Sequence, residues 1–531
     1  MDSHNTTKGY LSLVLHAHLP YVRHPECDYM LEENWFYEAM TECYLPLLAI
    51  FDNLVSDGVP FKITMSLTPT LCSMMADGLL QERYQKRLNN LIELTEKELN
   101  RTQNTKFHTI AEMYLSRFTL CRNLFNNVYG ADATKGFKKF QDLGFLEIIT
   151  CAATHGYLPN MQVNPNAVRA QILTAVNSYQ RFFGRNPPGI WLPECGYYPG
   201  VEKFVDEAGI GYFFLETHGI LHADPLPKHG VYAPVNCKDT KVAAFGRDVE
   251  SSKSVWSAQE GYPGHPSYRD FYRDIGFDLD MDYIAPYIDP IGTRTSTSIK
   301  YHKVTGQGNE KQPYNRDEGI RTAALHAGNF MFNRQKQVEH LSSMMDRKPI
   351  IVAPYDAELF GHWWYEGPEW LNFLIRKISF EQDTISLATP SDYLKIYPSN
   401  QHCQPAFSSW GEGGYSEVWL QECNSWIYRH LHRMEERMID CARKFPDPDQ
   451  NLKRLLNQMA RELLLAESSD WAFIMKTGTM VQYAQRRTKE HIANFLRLYE
   501  DLQNNRYDFD FISLLESHNN IFPEIDYRVY S

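Results

Sequence analysis

Hydrophobic positions along the chain fall into short continuous runs separated by longer amphipathic stretches. Tyr10–Leu19 (YLSLVLHAHL) has the length of a buried strand, and a stretch with helical spacing follows from Asn34 to about Ser56. Phe61–Leu67 (FKITMSL) predicts a second strand. Leu71–Tyr129 is helical in character with no strand pattern, too long for a simple crossover, and predicts a helical insertion at about 71–130. Strand patterns resume at Phe145–Cys151, Gly189–Leu192, Tyr212–Leu215, Val242–Phe245 and Pro349–Ala353, with helix-like runs between most of them. Alternation of this kind predicts a parallel sheet, open or closed, of the α/β class. From about Gln401 the pattern changes. Val418–Lys444, Asp449–Glu467 and Tyr483–Asn504 read as helices with no strand between them. The expected organisation is an α/β domain over 1–400 and a helical C-terminal domain over 401–531 that contributes to the cleft.

Bulk properties narrow the function. A length of 531 residues exceeds one ordinary core, and 43% hydrophobic with 22% charged residues is usual for a soluble globular chain. The net charge of −12 argues against a nucleic-acid partner, which calls for a basic face. No apolar run reaches membrane-spanning length, and the N-terminus makes a poor signal peptide, so a cytoplasmic protein without a membrane partner is expected. Ten cysteines without a CxxC pair indicate reduced thiols rather than a disulfide framework. Aromatic residues stand out, with 10 Trp, 32 Tyr and 29 Phe, and many neighbour Gly, Pro or Asp, as suits stacking on sugar rings or bases.

Polar residues at the predicted strand ends carry the chemistry. His16 and His18 end the first strand, Thr154-His155-Gly156 follows the strand at Phe145, Glu194 in WLPECGYY ends the next, and Asp356 follows Ile350–Pro354. In a βα barrel, strand C-terminal ends form the site. Three chemistries compete. His16-x-His18 with His155 and Asp356 has the makings of a zinc centre that activates water. Glu194 and Asp356, on different strands, suit a pair of carboxyls flanking one glycosidic bond. A non-enzymatic carbohydrate-binding protein would use the same groups only for contact. Trp191, Tyr197 and Tyr198 bracket Glu194, and Trp363, Trp364, Tyr365 and Trp370 follow Asp356, more rings than a metal site needs.

The segments HAHLP (16–20), GFLEIITCAATHG (144–156), WLPECGY (191–197), APYDAELFGHWW (353–364) and SSDWAF (468–473) resemble the successive conserved regions of glycoside hydrolase family 57. In spacing they are most similar to its 1,4-α-glucan branching enzymes. The resemblance runs along essentially the whole chain. It implies an incomplete (β/α)7 barrel with a helical insertion and a C-terminal all-helical domain, no catalytic metal and no cofactor. It also implies an α-glucan substrate and a retaining reaction that transfers a cleaved α-1,4 chain to a 6-hydroxyl; a monomer is expected. By motif, Glu194 is the implied nucleophile and Asp356 the general acid/base, with Asp356 protonated, Glu194 ionised and the carboxyls about 5–5.5 Å apart. His16 and His155 are implied to bind substrate hydroxyls, with His18 behind them or structural. Tyr232, in the Pro- and Gly-rich loop Leu221–Asp239, matches the tip of a mobile cover. Trp410 and Trp419 in SSWGEGGYSEVW, Trp35, Arg269 in YRDFYRD, Trp363 and Trp471 complete the implied glucan-binding set. Phe277 stands where the branching enzymes commonly carry tryptophan, which implies a weaker subsite there. The family also holds 4-α-glucanotransferases and α-amylases, which remain alternatives, and a zinc-dependent deacetylase or hydrolase using His16, His18 and Asp356 is the alternative of another class.

Overall fold

The computed structural model describes residues 7–257, 259–288, 292–306, 308 and 310–531. Ten strands form one curled sheet: β1 (Gly9–Ala17), β2 (Ile63–Leu67), β3 (Leu146–Cys151), β4 (Gly189–Trp191), β5 (Tyr212–Leu215), β6 (Val235–Cys237), β7 (Ala243–Gly246), β8 (Ile350–Asp356), β9 (Ile385–Leu387) and β10 (His402–Cys403). The order is β10-β6-β7-β5-β4-β3-β2-β1-β8, with β9 added against β1. Seven strands, β7-β5-β4-β3-β2-β1-β8, run parallel through this sheet. This is the incomplete seven-stranded barrel expected from the family resemblance. All nine residues of β1 are buried, as a strand covered on both faces requires.

Register carries the geometry to the site. β1 pairs with β2 and β8 so that His16 lies level with Ser66 on one side and Asp356 on the other. Strand β8 runs three residues past the predicted end and includes Pro354, which lacks an N–H; its place at the end of the strand order makes this tolerable. β6, β9 and β10 have only two or three residues each and pair at the sheet's margins. So short a run has no periodicity to read, and the neighbouring strand defines it.

The predicted insertion consists of the helices Pro69–Met75, Gly78–Thr102 and His108–Asn123, closed by a π-helical turn at Leu124–Val128. Beyond Cys403 the described residues contain no strand; the helices Tyr428–Lys444, Gln450–Ala466, Ser469–Thr477, Val481–Gln503 and Phe509–His518 follow. The helix predicted from Val418 begins ten residues late. There the Asn424 side chain takes the Gln421 N–H and donates to the Val418 and Ala472 carbonyls, so the backbone finds partners outside a helix. A single hydrophobic cluster joins barrel residues such as Leu15 and Trp191 to Trp419 and Leu464 of the C-terminal part. No helix among the described residues is long and apolar enough to cross a membrane. All ten cysteines are unpaired.

The open side of the barrel, between β7 and β8, is stapled by Asp248. Its N–H donates to the Val352 carbonyl of β8 at 2.9 Å. Its carboxylate takes Arg334 Nη1 at 3.1 Å and Gln337 Nε2 at 2.7 Å, both from the Arg316–Met344 helix. The Arg334 and Asp248 side chains are 1% and 3% exposed. Breaking such a buried pair leaves an uncompensated charge, so Arg334→Met is expected to lower the unfolding free energy by about 3 kcal/mol. Urea denaturation measures it, and an unchanged midpoint would contradict the staple.

Candidate functional site

The C-terminal ends of the barrel strands open into a cavity of about 490 Å³. His16 reaches it from the end of β1, His155 from beyond β3, Glu194 from beyond β4, Arg247 from beyond β7 and Asp356 from the end of β8. Trp410, Trp419, Asp470 and Phe473 close it from the C-terminal part. Seven of the sequence-predicted residues thus meet at one site: His16, His18, His155, Glu194, Asp356, Trp410 and Trp419.

Two of these stand on backbone that L-residues avoid. His155 has φ 61° and Glu194 has φ 60°, followed by Cys195 at φ 50°. Left-handed backbone at a non-glycine residue costs about 1–2 kcal/mol and persists only where surroundings enforce it. Here main-chain bonds from the C-terminal part enforce it. Trp410 N–H donates to the Glu194 carbonyl at 2.9 Å, Tyr197 and Ser408 exchange reciprocal bonds, and Ser469 N–H donates to the His155 carbonyl at 3.0 Å. The turn aims the Glu194 carboxylate so that Oε2 accepts Trp410 Nε1–H at 2.6 Å and Oε1 accepts the Ser469 hydroxyl at 3.4 Å.

The two carboxyls differ in support. Burial pushes Glu194 up to about 8, with the Trp410 N–H acting against the shift and Asp356 adding to it. Burial raises Asp356 well above the usual carboxylate range, the Glu358 carboxyl adds to this, and Arg247 opposes it. Glu194 holds two donors that favour its anion, so it ionises first and Asp356 keeps the shared site's proton longer. The expectation of a fully ionised Glu194 beside a protonated Asp356 is therefore corrected in one respect: burial raises both.

The histidines form a hydrogen-bonded chain. His16 Nδ1 lies 3.1 Å from Ser66 Oγ, His16 Nε2 lies 3.1 Å from His155 Nε2, and His155 Nδ1 lies 2.8 Å from Ser469 Oγ. Burial lowers both His16 and His155 well below the ordinary histidine value, so they are neutral. With Ser66 donating first, an unbroken run of donors leads through both rings and Ser469 to Glu194. His18 stacks on His155 with ring centroids 3.8 Å apart and bonds Thr68 through Nδ1 and Asp470 through Nε2. Burial works against the Asp470 charge, but the His18 ring and Ser468 hydroxyl outweigh it and hold Asp470 low.

Metal-type donors do gather here: His18, His155 and Asp470 form one group and His16, Cys151 and His155 another. Neither includes Asp356, and every ring nitrogen of the three histidines already faces a protein partner. The donor set fits a hydrogen-bond relay better than the zinc centre of His16, His18 and Asp356.

Six predicted residues are not brought to the cavity. Tyr232 lies at the opposite end of the barrel, where its carbonyl accepts the N–H of Ile350, the first residue of β8, and its phenol faces Gln337. The segment Leu221–Asp239 descends to the sheet margin as β6 and does not cover the site. Arg269 is 2% exposed and does not face the cavity: its guanidinium lies 4.3 Å over the ring of Tyr365, which belongs to a smaller hydrophobic cluster with Tyr114 and Tyr314. Trp471 is 1% exposed and donates to the Leu465 carbonyl, a core residue. Trp35 packs edge-on against Tyr483. Phe277 is exposed on a one-turn helix, and Trp363 is exposed and stacked on Phe271 with centroids 4.2 Å apart. The family resemblance marked these residues, but chain path decides which ones face the cavity.

Seven lining residues escaped the sequence reading: Arg247, Trp256, Glu358, Gly411, Val418, Asp470 and Phe473. Arg247 follows β7 directly and the strand-end rule would have found it. Asp470 sits in SSDWAF, where the neighbouring tryptophan drew attention instead.

Residues 12–410 match the model of glycosyl hydrolase family 57, and residues 430–530 match the C-terminal model of 1,4-alpha-glucan branching enzyme. The chain is 33% identical to a 1,4-alpha-glucan branching enzyme of Thermococcus kodakarensis, covering 98% of this chain and 78% of that one. Among solved structures, the alpha-amylase AmyC of Thermotoga maritima superposes with a TM-score of 0.92 at 45% identity, over 98% and 99% of the two chains. The GH57-type branching enzyme of Pyrococcus horikoshii superposes at 0.89 with 33% identity, over 99% and 97%. A family model that spans the whole barrel, together with whole-chain likeness of sequence and fold, leads to one conclusion: this chain belongs to glycosyl hydrolase family 57.

Proposed function

We propose that the chain is a retaining 1,4-α-glucan branching enzyme. Glu194 attacks the anomeric carbon of an α-1,4-linked glucan while Asp356 protonates the departing oxygen. Asp356 then takes the proton from a 6-hydroxyl that attacks the glycosyl-enzyme, forming an α-1,6 branch. Trp410 and Trp419 offer apolar walls to the sugar rings, and neutral His16 and His155, paired with each other and with Ser469, line the cavity beside Glu194. In the same reading residues 1–400 carry the carboxyls and 401–531 complete the cleft. The observation that carries the branching assignment is the branching-enzyme C-terminal match at 430–530, because those residues include Asp470 and Phe473 of the cavity wall.

A second reading, α-amylase, has its own support in the likeness to the Thermotoga maritima amylase and in the uncovered cavity. Proton NMR of amylose after incubation separates the two. New α-1,6 links are expected to exceed new reducing ends; the reverse favours hydrolysis.

Glu194→Ala and Asp356→Ala are each expected to cost several orders of magnitude in turnover, with azide restoring the Glu194 variant to give an inverted product and the Asp356 variant favouring leaving groups that need no protonation. Wild-type turnover in either would refute the assignment and favour a metal reading. The pH profile should be bell-shaped: activity falls below the Glu194 value as the nucleophile protonates, and above the Asp356 value as the acid is lost. Trp410→Phe removes a donor that favours the Glu194 anion, so the acid limb should move to higher pH by about one unit. An unmoved limb in initial-rate measurements would deny Trp410 that role.

A further inference from the structure

We propose that Glu358 is a positioning residue for the reaction, one whose charge, fixed two residues after Asp356, keeps Asp356 in its proton-carrying form. The inference rests on Asp356 acting as the acid/base.

β8 ends at Asp356 and passes into a one-turn helix, Ala357–Leu359, so both carboxyls line the same cavity. Glu358 is not free to turn away. Its Oε1 accepts the His18 N–H at 3.2 Å and the Tyr44 phenol. Tyr44 is delivered by a π-helical turn, Met40–Tyr44, set between the helices Glu33–Ala39 and Leu45–Ser56. Such turns recur at functional sites because the extra residue redirects side chains. Here the turn directs its residues onto the segment after Asp356: Cys43 Sγ donates to the Ala357 carbonyl, and Glu42 pairs with His362 at 2.7 Å. Gly361, at φ +110°, presses so closely that a Cβ would stand 1.9 Å from the Glu42 carbonyl.

The groups facing Asp356 are Glu358, Arg247, Glu194, Tyr44 and Cys195. Besides Asp356, those facing Glu358 are Tyr44, Cys43 and the His18 amide. Burial pushes Glu358 up to about 7, against the Tyr44 and backbone hydrogen bonds. Its charge therefore develops on the alkaline side, where Asp356 is in danger of losing its proton. Below that range the charge fades, and it is not needed.

The test is the pH profile of total amylose cleavage by the full chain. Glu358→Gln keeps the size and the acceptor for Tyr44 and His18 but removes the like charge. The Asp356 value then falls, and the alkaline limb should move down by about one pH unit while the acid limb stays. Glu358→Asp restores the charge and should bring the limb back. Tyr44→Phe delays the Glu358 charge and should move the limb the same way as Glu358→Gln, by less; this variant decides the matter if Glu358→Gln does not fold. An alkaline limb unmoved in Glu358→Gln, or a loss equal at every pH, overturns the inference. Wild-type turnover in Asp356→Asn would instead overturn the acid/base reading beneath it.

Discussion

Two left-handed residues, His155 and Glu194, set the conditions for the rest of the molecule. Their backbone is unfavourable by itself, yet it is what turns an imidazole and a carboxylate into the cavity at the ends of β3 and β4. The barrel does not hold them alone. Trp410 and Ser469, more than 200 residues downstream of Glu194, supply the main-chain donors that lock both carbonyls. Gln171 adds to this by binding Thr154 through both ends of its amide and Glu467 through its nitrogen. Barrel and C-terminal helices accordingly share one core, and neither part builds the site without the other.

That arrangement also sorts the charges. Trp410, which clamps the backbone of Glu194, also donates to its side chain through its indole, and Ser469, which clamps that of His155, donates to the Glu194 carboxylate through its hydroxyl. Asp356 faces burial and a neighbouring carboxyl, with Arg247 as the opposing cation. Two carboxyls in one cavity thus reach different protonation through unequal numbers of donors rather than through different depth. His18 and Asp470 satisfy each other behind His155, which leaves the histidine chain free to point its donors toward Glu194.

Much of this was legible in the sequence, and the reason is local. A parallel strand buried on both faces needs a continuous apolar run, so β1, β2, β3, β5 and β8 announce themselves, and a polar residue at the end of such a run stands out. His16, His155, Glu194 and Asp356 were found that way. Helical spacing likewise exposed the insertion and the C-terminal helices. The short strands β6, β9 and β10 were not visible, because pairing with a neighbouring strand creates them.

What the sequence determined by itself was therefore the set of strand-end groups and the alternation that places them at one end of a parallel sheet. The tertiary structure alone decided which aromatic residues meet them. Trp410 and Trp419 reach the cavity, whereas Trp471 is buried in the core and Tyr232 ends beside the first residue of β8. It also decided the protonation of the carboxyls, through donors hundreds of residues away. Strand ends follow from local periodicity, but a cavity wall and its electrostatics arise from contacts between distant segments, which no short window of sequence contains.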